Sequence, residues 1–230
     1  MTSILEKILE NPAYKEADRK LIERAFEFAK IAHAGQKRLS GEEYLFHPLH
    51  VAYFLSELGL DSATVAAGIL HDTIEDTLFT HKDLEKEFGK DIAFLVEGVT
   101  KLSKIEYSGN PNEKKSGINH LNSLKKMFFA MAEDIRVILI KLADRYHNME
   151  TLRYQNTAGQ RKIALETLEI YAPISARLGM GRLKGQLEDM AFPYVYPLEY
   201  SQLIKEVKEK YANRIKYIDR TKPIIKRYLT

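Results

Sequence analysis

The sequence predicts an all-α fold, a helical bundle without a sheet, on three observations. Apolar residues recur with a period near 3.6 along almost the whole chain, helix-start and helix-stop residues punctuate the runs, and only two stretches break the pattern. "DRKLIERAFEFAKIAHAG" sets out Leu21, Ile22, Ala25, Phe26, Phe28 and Ala29 at helical spacing, with Gly35 just past the end. "HPLHVAYFLSELGLD" has Pro48 at a first helical position, which puts His47 at the N-cap. Asp61 or Ser62 caps "ATVAAGILHD", and "KDLEKEFGKDIAFLVEGVTKL" reads as two short helices meeting near Gly89. "LNSLKKMFFAMAED", "IRVILIKLADRYHNMETL" and "AGQRKIALETLEIYAPISARLG" continue the series. Taken alone, "RVILI" fits a buried strand, but the apolar run continues through Leu142 and Ala143 toward Met149 and favours helix. The first break, residues 103–119, "SKIEYSGNPNEKKSGIN", is polar and rich in Gly, Pro and Asn and is expected to be a loop. The second, residues 192–198, "FPYVYPL", carries two prolines and is expected to hold a tight turn before the last helix.

A chain of 230 residues can bury a substantial core as one large domain or two small ones. The absence of Cys excludes a disulfide framework, a thiol nucleophile and a zinc–thiolate site. Charges interrupt every apolar run, so no stretch approaches the roughly 20 apolar residues that span a bilayer; a cytoplasmic protein with no membrane partner is expected. The net charge of +3 is uneven: residues 205–230 hold nine Lys/Arg against three Asp/Glu. That basic end reads as a solvated helix face. No aromatic-interleaved motif accompanies it, and nucleic acid is not an expected partner.

The chemistry concentrates in "ILHDTIEDT", residues 69–77. From Ser62 to Leu70 there is no charged residue, so this helix is expected to be buried on all sides; then His71, Asp72, Glu75 and Asp76 arrive together. At 100° per residue all four fall within an arc of about 140° that Val65 and Ile69 share, so the arc is expected to point inward. Burying three carboxylates and an imidazole is costly unless something completes them. Mutual pairing of His71 and Asp72 is one remedy; a cation is the simpler one, and His with Asp suits a divalent transition metal better than calcium. Further ligands are available. Asp144 ends the apolar run "VILIKLA", with His147, Asn148 and Thr151 on the same stripe, and His47 opens its own helix. Near His47, "GQKRLSGEEY" supplies Lys37, Arg38, Ser40 and Tyr44; this is a solvated turn or, beside a metal, the contact surface of an anionic phosphate substrate.

The order His47, His71-Asp72, Asp144 resembles the ligand order of the HD phosphohydrolase superfamily. More closely, "HAGQKRLSGEEYLFHPLHVA", "GILHDTIEDT", "VEGVTKL", "DIRVILIKLADRYHNM", "IYAPISARLGM" and "LEDMAFPYVYPLEY" resemble the hydrolase domain of the RelA/SpoT homologues, over about residues 20–200. The resemblance implies an HD-domain phosphohydrolase helical bundle over residues 1–200, with 201–230 a helical linker toward a synthetase domain outside this chain. It implies Mn²⁺ held by His47, His71, Asp72 and Asp144, and hydrolysis of the 3′-pyrophosphate of the guanine nucleotide (p)ppGpp to GDP or GTP and pyrophosphate. Glu75 and Asp76 would activate and position water; Arg38 and Ser40 would contact the nucleotide with Tyr44 nearby; Asn148 and Thr151 would line the ribose and base side. Leu39, Glu150 and Gln186 depart from the family pattern, the first two where nucleotide affinity and preference are set. An HD phosphatase for another nucleotide and a silent regulatory HD module are the alternatives; the intact Glu75-Asp76 pair speaks against silence.

Overall fold

The computed structural model describes residues 2–106 and 133–208, with residues 210, 211 and 222. All the regular structure in them is helical, apart from one isolated antiparallel bridge between Lys37 and Glu43. The helices are α1 (Thr2–Leu9), α2 (Glu16–Ala32), α3 (Phe46–Glu57), α4 (Ser62–Leu70), α5 (Thr73–Asp76), α6 (His81–Phe88), α7 (Lys90–Glu106), α8 (Ile135–Glu150), α9 (Thr157–Glu166), α10 (Ala172–Arg177) and α11 (Gly181–Val195). A further helical stretch covers 197–208.

The centre of the bundle is α4, which packs against α2, α3, α7 and α8. Every residue from Thr64 to Leu70 is buried, as its lack of charge predicts. Asp61 caps it, its carboxylate accepting from the Thr64 amide at 3.0 Å and the Thr64 hydroxyl at 2.7 Å. Gly68 sets how closely α3 approaches: a Cβ there would meet Leu55 Cδ1 at 2.6 Å. Gly89, at φ +85°, separates α6 from α7 as expected, although α7 runs to 17 residues. "RVILI" is helix, inside α8, and contributes Val137, Ile138 and Ile140 to the core.

Three expectations are corrected. The helix carrying His47 begins at Phe46 after Leu45, so His47 and Pro48 both lie in its first turn and His47 is not the N-cap. A proline is tolerated there because first-turn amides have no partner within the helix. The loop expected from residue 103 does not start there, because α7 continues through Glu106; residues 107–119, and the helix expected at "LNSLKKMFFAMA", lie outside the described residues. The run "AGQRKIALETLEIYAPISARLG" is helical as expected, with a π-helical segment, Thr167–Tyr171, joining α9 to α10. In "FPYVYPL", Pro193 sits within α11, and the break is confined to Tyr196 before helix resumes at 197.

Candidate metal centre and its cavity

Three helices deliver the buried donors. His47 comes from the first turn of α3, His71 from the residue just after α4, and Asp144 from α8. One ligand atom from each lies within 4.8 Å of the others, and all three residues are buried. His47 Nε2 is 3.2 Å from Asp144 Oδ1 and 3.6 Å from Asp72 Oδ2. His71 Nε2 is 3.1 Å from Asp72 Oδ1 and 3.8 Å from Asp144 Oδ1. The structure thus brings the four predicted ligands together.

The chain breaks where the ligands appear. His71 Nδ1 lies 2.8 Å from the Gly68 carbonyl, an acceptor only, so this nitrogen carries the proton. It occupies the carbonyl that a continuing helix would offer to the Asp72 amide. A new turn starts at Asp72, whose own carbonyl takes the amides of Glu75 and Asp76 at 3.1 and 2.8 Å. The single inward arc expected for His71, Asp72, Glu75 and Asp76 is therefore corrected: His71 is buried, Asp72 and Glu75 are half-buried and Asp76 is exposed. Burial falls off from floor to rim.

Electrostatics on the floor are those of a site made for a cation. Burial pushes His47 down. Burial opposes the charged form of His71 too, but Asp72 and Asp144 outweigh it, and its pKa is pushed up to about 9. Both rings face the same two carboxylates, so charging one opposes charging the other. Burial raises Asp72 and Asp144, yet His71 and His47, with Lys141 at Asp144, hold both below the usual carboxylate range. His71 Nε2 is buried and makes no hydrogen bond among the described residues despite the nearby Asp72 oxygen. A buried ring nitrogen facing two carboxylates, beside a second imidazole, fits a divalent metal ion.

Around this floor lies a cavity of about 380 Å³. Lys141, Asp144, Arg145 and Asn148 line it from α8 at i, i+3, i+4 and i+7; Gly159, Lys162, Ile163 and Glu166 line it from α9 at the same spacing. Glu75 and Asp76 line it from α5 and Arg38 and Tyr44 from the turn before α3. Five carboxylates thus meet four cationic side chains, and a divalent cation makes the cavity net positive, suited to an anion. A smaller cavity of about 50 Å³ shares Arg38, Asn148, Gln155 and Ile163 with the first and adds Leu39, Ser40, Thr151 and Tyr154.

The rim residues have specific partners. The Tyr44 hydroxyl lies 2.8 Å from Asp72 Oδ2 and 2.5 Å from Asp76 Oδ2, holding the two carboxylates together. Burial and those two carboxylates push its pKa up, so it stays a donor. Its ring stacks on His33, whose Nδ1 pairs with Gln36, so His33 has a structural role. Arg38 donates to Asn148 Oδ1 at 2.7 Å, and its Nη1 lies 3.1 Å from His147 Nδ1. The Ser40 hydroxyl donates to Glu42 at 3.0 Å and that of Thr151 to the His147 carbonyl at 3.1 Å. Lys37 is exposed and lines neither cavity, so the structure does not bring it to the site.

Sequence reasoning passed over Lys141, Arg145 and the role of His147. Lys141 is buried and donates to Asp144 Oδ2 at 2.8 Å, while Asn148 donates to Oδ1 at 2.6 Å. The signal was present: a lysine inside the apolar run, one turn before Asp144. Arg145 pairs with Glu166 at 3.3 Å and lies 4.1 Å over the Tyr171 ring. His147 Nδ1 is 2.8 Å from His47 Nδ1, and its ring stacks on His50. Burial, with His47, His50 and Arg38 close by, pushes its pKa down to about 2.

Residues 25–181 match the family model for the HD domain. The chain is 46% identical over 213 residues to a GTP pyrophosphokinase of Myxococcus xanthus, covering 93% of this chain and 28% of that protein. It is 46% identical over 215 residues to the guanosine-3′,5′-bis(diphosphate) 3′-pyrophosphohydrolase of Aquifex aeolicus, covering 93% and 29%. To the bifunctional (p)ppGpp synthase/hydrolase SpoT of Escherichia coli K12 it is 46% identical over 201 residues, covering 87% and 28%. The chain thus spans less than a third of each of these relatives. A solved structure described as a metazoan ortholog of SpoT that hydrolyzes ppGpp superposes with a TM-score of 0.53 at 22% identity, covering 77% of this chain and 95% of that one. That likeness supports the fold.

Proposed function

This chain belongs to the HD-domain family, and on that premise we propose that it hydrolyses the 3′-pyrophosphate of (p)ppGpp, giving GDP or GTP and pyrophosphate, with Mn²⁺ as its ion. The observation that carries the proposal is a buried His47–His71–Asp144 cluster opening into one cavity with both carboxylates of α5 and four cationic side chains. Relatives named as (p)ppGpp hydrolases support the choice of substrate.

His47, His71, Asp72 and Asp144 hold the ion, which when bound acidifies a water and offsets charge on phosphoryl oxygens. Every other role falls to the chain. Glu75 takes the proton of the attacking water. Asp76 shares the Tyr44 hydroxyl with Asp72 and positions that water. Lys141 holds Asp144 Oδ2, leaving Oδ1 toward the histidines. Arg38, Lys162 and Arg145 draw the pyrophosphate in, and Ser40, Asn148 and Thr151, around the smaller cavity, face the ribose and base side, with Leu39 and Tyr154 beside them. Residues 1–200 form the hydrolase unit and 201–230 lead toward a synthetase domain. A guanine nucleotide substrate of this kind agrees with a cytoplasmic site of action, and no helix among the described residues is long and apolar enough to cross a membrane.

The test is to incubate the protein with Mn²⁺ and a panel of phosphorylated nucleotides. The expected result is pyrophosphate release from ppGpp and pppGpp. Release of orthophosphate alone, or preference for a nucleotide without a 3′-pyrophosphate, overturns the assignment.

A further inference from the structure

We infer that His147 is a positioning residue that fixes the tautomer of His47, and that Arg38 in turn fixes His147. The inference rests on His47 being a metal ligand and otherwise only on proton bookkeeping. Arg38 Nη1 lies 3.1 Å from His147 Nδ1, and a guanidinium has donors and no acceptor. His147 Nδ1 must therefore be unprotonated. The same nitrogen lies 2.8 Å from His47 Nδ1. With an unprotonated nitrogen on the His147 side, the proton of that contact sits on His47 Nδ1. His47 then presents the lone pair of Nε2, the atom that faces Asp144 Oδ1 at 3.2 Å and Asp72 Oδ2 at 3.6 Å.

His71 reaches the same state by a different route, its Nδ1–H held by the Gly68 backbone carbonyl. A carbonyl can only accept, so that tautomer is fixed by the fold. The His47 tautomer depends on a second histidine, which accepts or donates according to its own neighbour. Arg38 supplies that neighbour, and its second nitrogen is anchored on Asn148 Oδ1 at 2.7 Å. Ligand orientation by a hydrogen bond to the distal ring nitrogen is typically worth about 10- to 100-fold in metal affinity.

The bland alternative is that His147 merely fills space, its ring stacked on His50 at 4.7 Å. Three measurements separate the two, and none needs substrate, so they stand whatever the protein hydrolyses. In the unaltered metal-free protein, long-range proton–nitrogen correlation of the histidine rings at neutral pH should show His147 as the Nε2–H tautomer and His47 as the Nδ1–H tautomer. The reverse assignment overturns the inference. His147→Phe keeps the ring and its stacking but loses the acceptor; Mn²⁺ affinity, measured by calorimetry, should fall about 10- to 100-fold. His147→Asn places an amide oxygen near the position of Nδ1 and should recover most of that loss. Unchanged affinity in His147→Phe, or His147→Asn binding no better than His147→Phe, overturns it.

Discussion

The floor and the rim of the cavity are built on opposite terms. His47, His71 and Asp144 sit in or at the end of core helices, are buried, and each has a distal atom pinned by a named partner. Glu75 and Asp76 ride on a four-residue helix with Asp76 open to solvent, and Arg38 and Ser40 belong to a turn. A floor made this way loses its ion and some of its stability when a residue is changed. A rim made this way loses rate and little else. The difference separates holding from reacting, and each arm can be tested.

The largest effect is expected on the floor. Asp144→Ala should abolish hydrolysis and Mn²⁺ binding together. It also removes the carboxylate 2.8 Å from the buried Lys141, which should lower stability by up to about 3–5 kcal/mol. Metal content, rate and denaturant midpoint measured side by side check this; a variant that kept its metal would break the comparison. On the rim, Glu75→Gln should slow turnover by about 10²–10⁴-fold while metal content and thermal midpoint stay near those of the parent. Loss of the ion as complete as in Asp144→Ala would move Glu75 to the floor and make it a ligand.

Acid–base behaviour sharpens the same division. In the metal-free protein, His47 and His147 have pKa values below that of an unfolded histidine, so below about pH 6.5 the unfolded chain binds protons the fold refuses, and stability falls as pH falls. His71 has the opposite sign. Its folded pKa is pushed up to about 9, so its stabilisation is complete below about 6.5 and is lost as pH rises through 9. The metal-free unfolding free energy should therefore peak near pH 6.5, with slopes of up to about 1.4 kcal/mol per pH unit for each histidine involved, and the thermal midpoint should follow it. Saturating Mn²⁺ should remove the alkaline limb, because the ion takes the place of the His71 proton; an alkaline limb unchanged by metal would count against His71 as a ligand. The smallest effect is expected where rim meets floor. Tyr44→Phe keeps the stack on His33 but frees Asp72 from Asp76, and should cost about tenfold in rate, with a modest loss of metal affinity by titration. No change in either would leave Tyr44 a packing residue.

Much of this was legible in the sequence. Polar residues arriving abruptly at the end of apolar helical runs pointed to His71, Asp72 and Asp144, because burial makes such residues expensive and their presence informative. The rest needed coordinates, for physical reasons. The inward arc assumed an uninterrupted helix, and a side chain, His71, displaced the backbone bond that would have continued it. Lys141 was absorbed into its apolar surroundings as a long-stemmed residue. His147 and Arg38 are 109 residues apart, and no periodicity reports a contact at that separation.

The π-helical segment at Thr167–Tyr171 is a shift of phase. In a regular α-helix, residues five apart differ by about 140° and cannot serve one neighbour. Glu166 and Tyr171 are five apart, and both attend Arg145, one by its carboxylate at 3.3 Å, the other by its ring at 4.1 Å. The extra residue carries the cavity stripe of α9, Gly159 to Glu166, one step further onto Tyr171 and then hands the helix over to the core, where Ala172, Ile174 and Ser175 are buried. The bulge is therefore a place where length is free to change. A one-residue deletion within 167–170 leaves Glu166 and Tyr171 four apart, about 40° round a regular α-helix and still on the side of Arg145, whereas a deletion inside α9 or α10 turns everything beyond it by about 100°. Side chains on α9 can vary freely upstream of the bulge without disturbing that register, which leaves substrate-facing chemistry free to drift while the scaffold keeps its count.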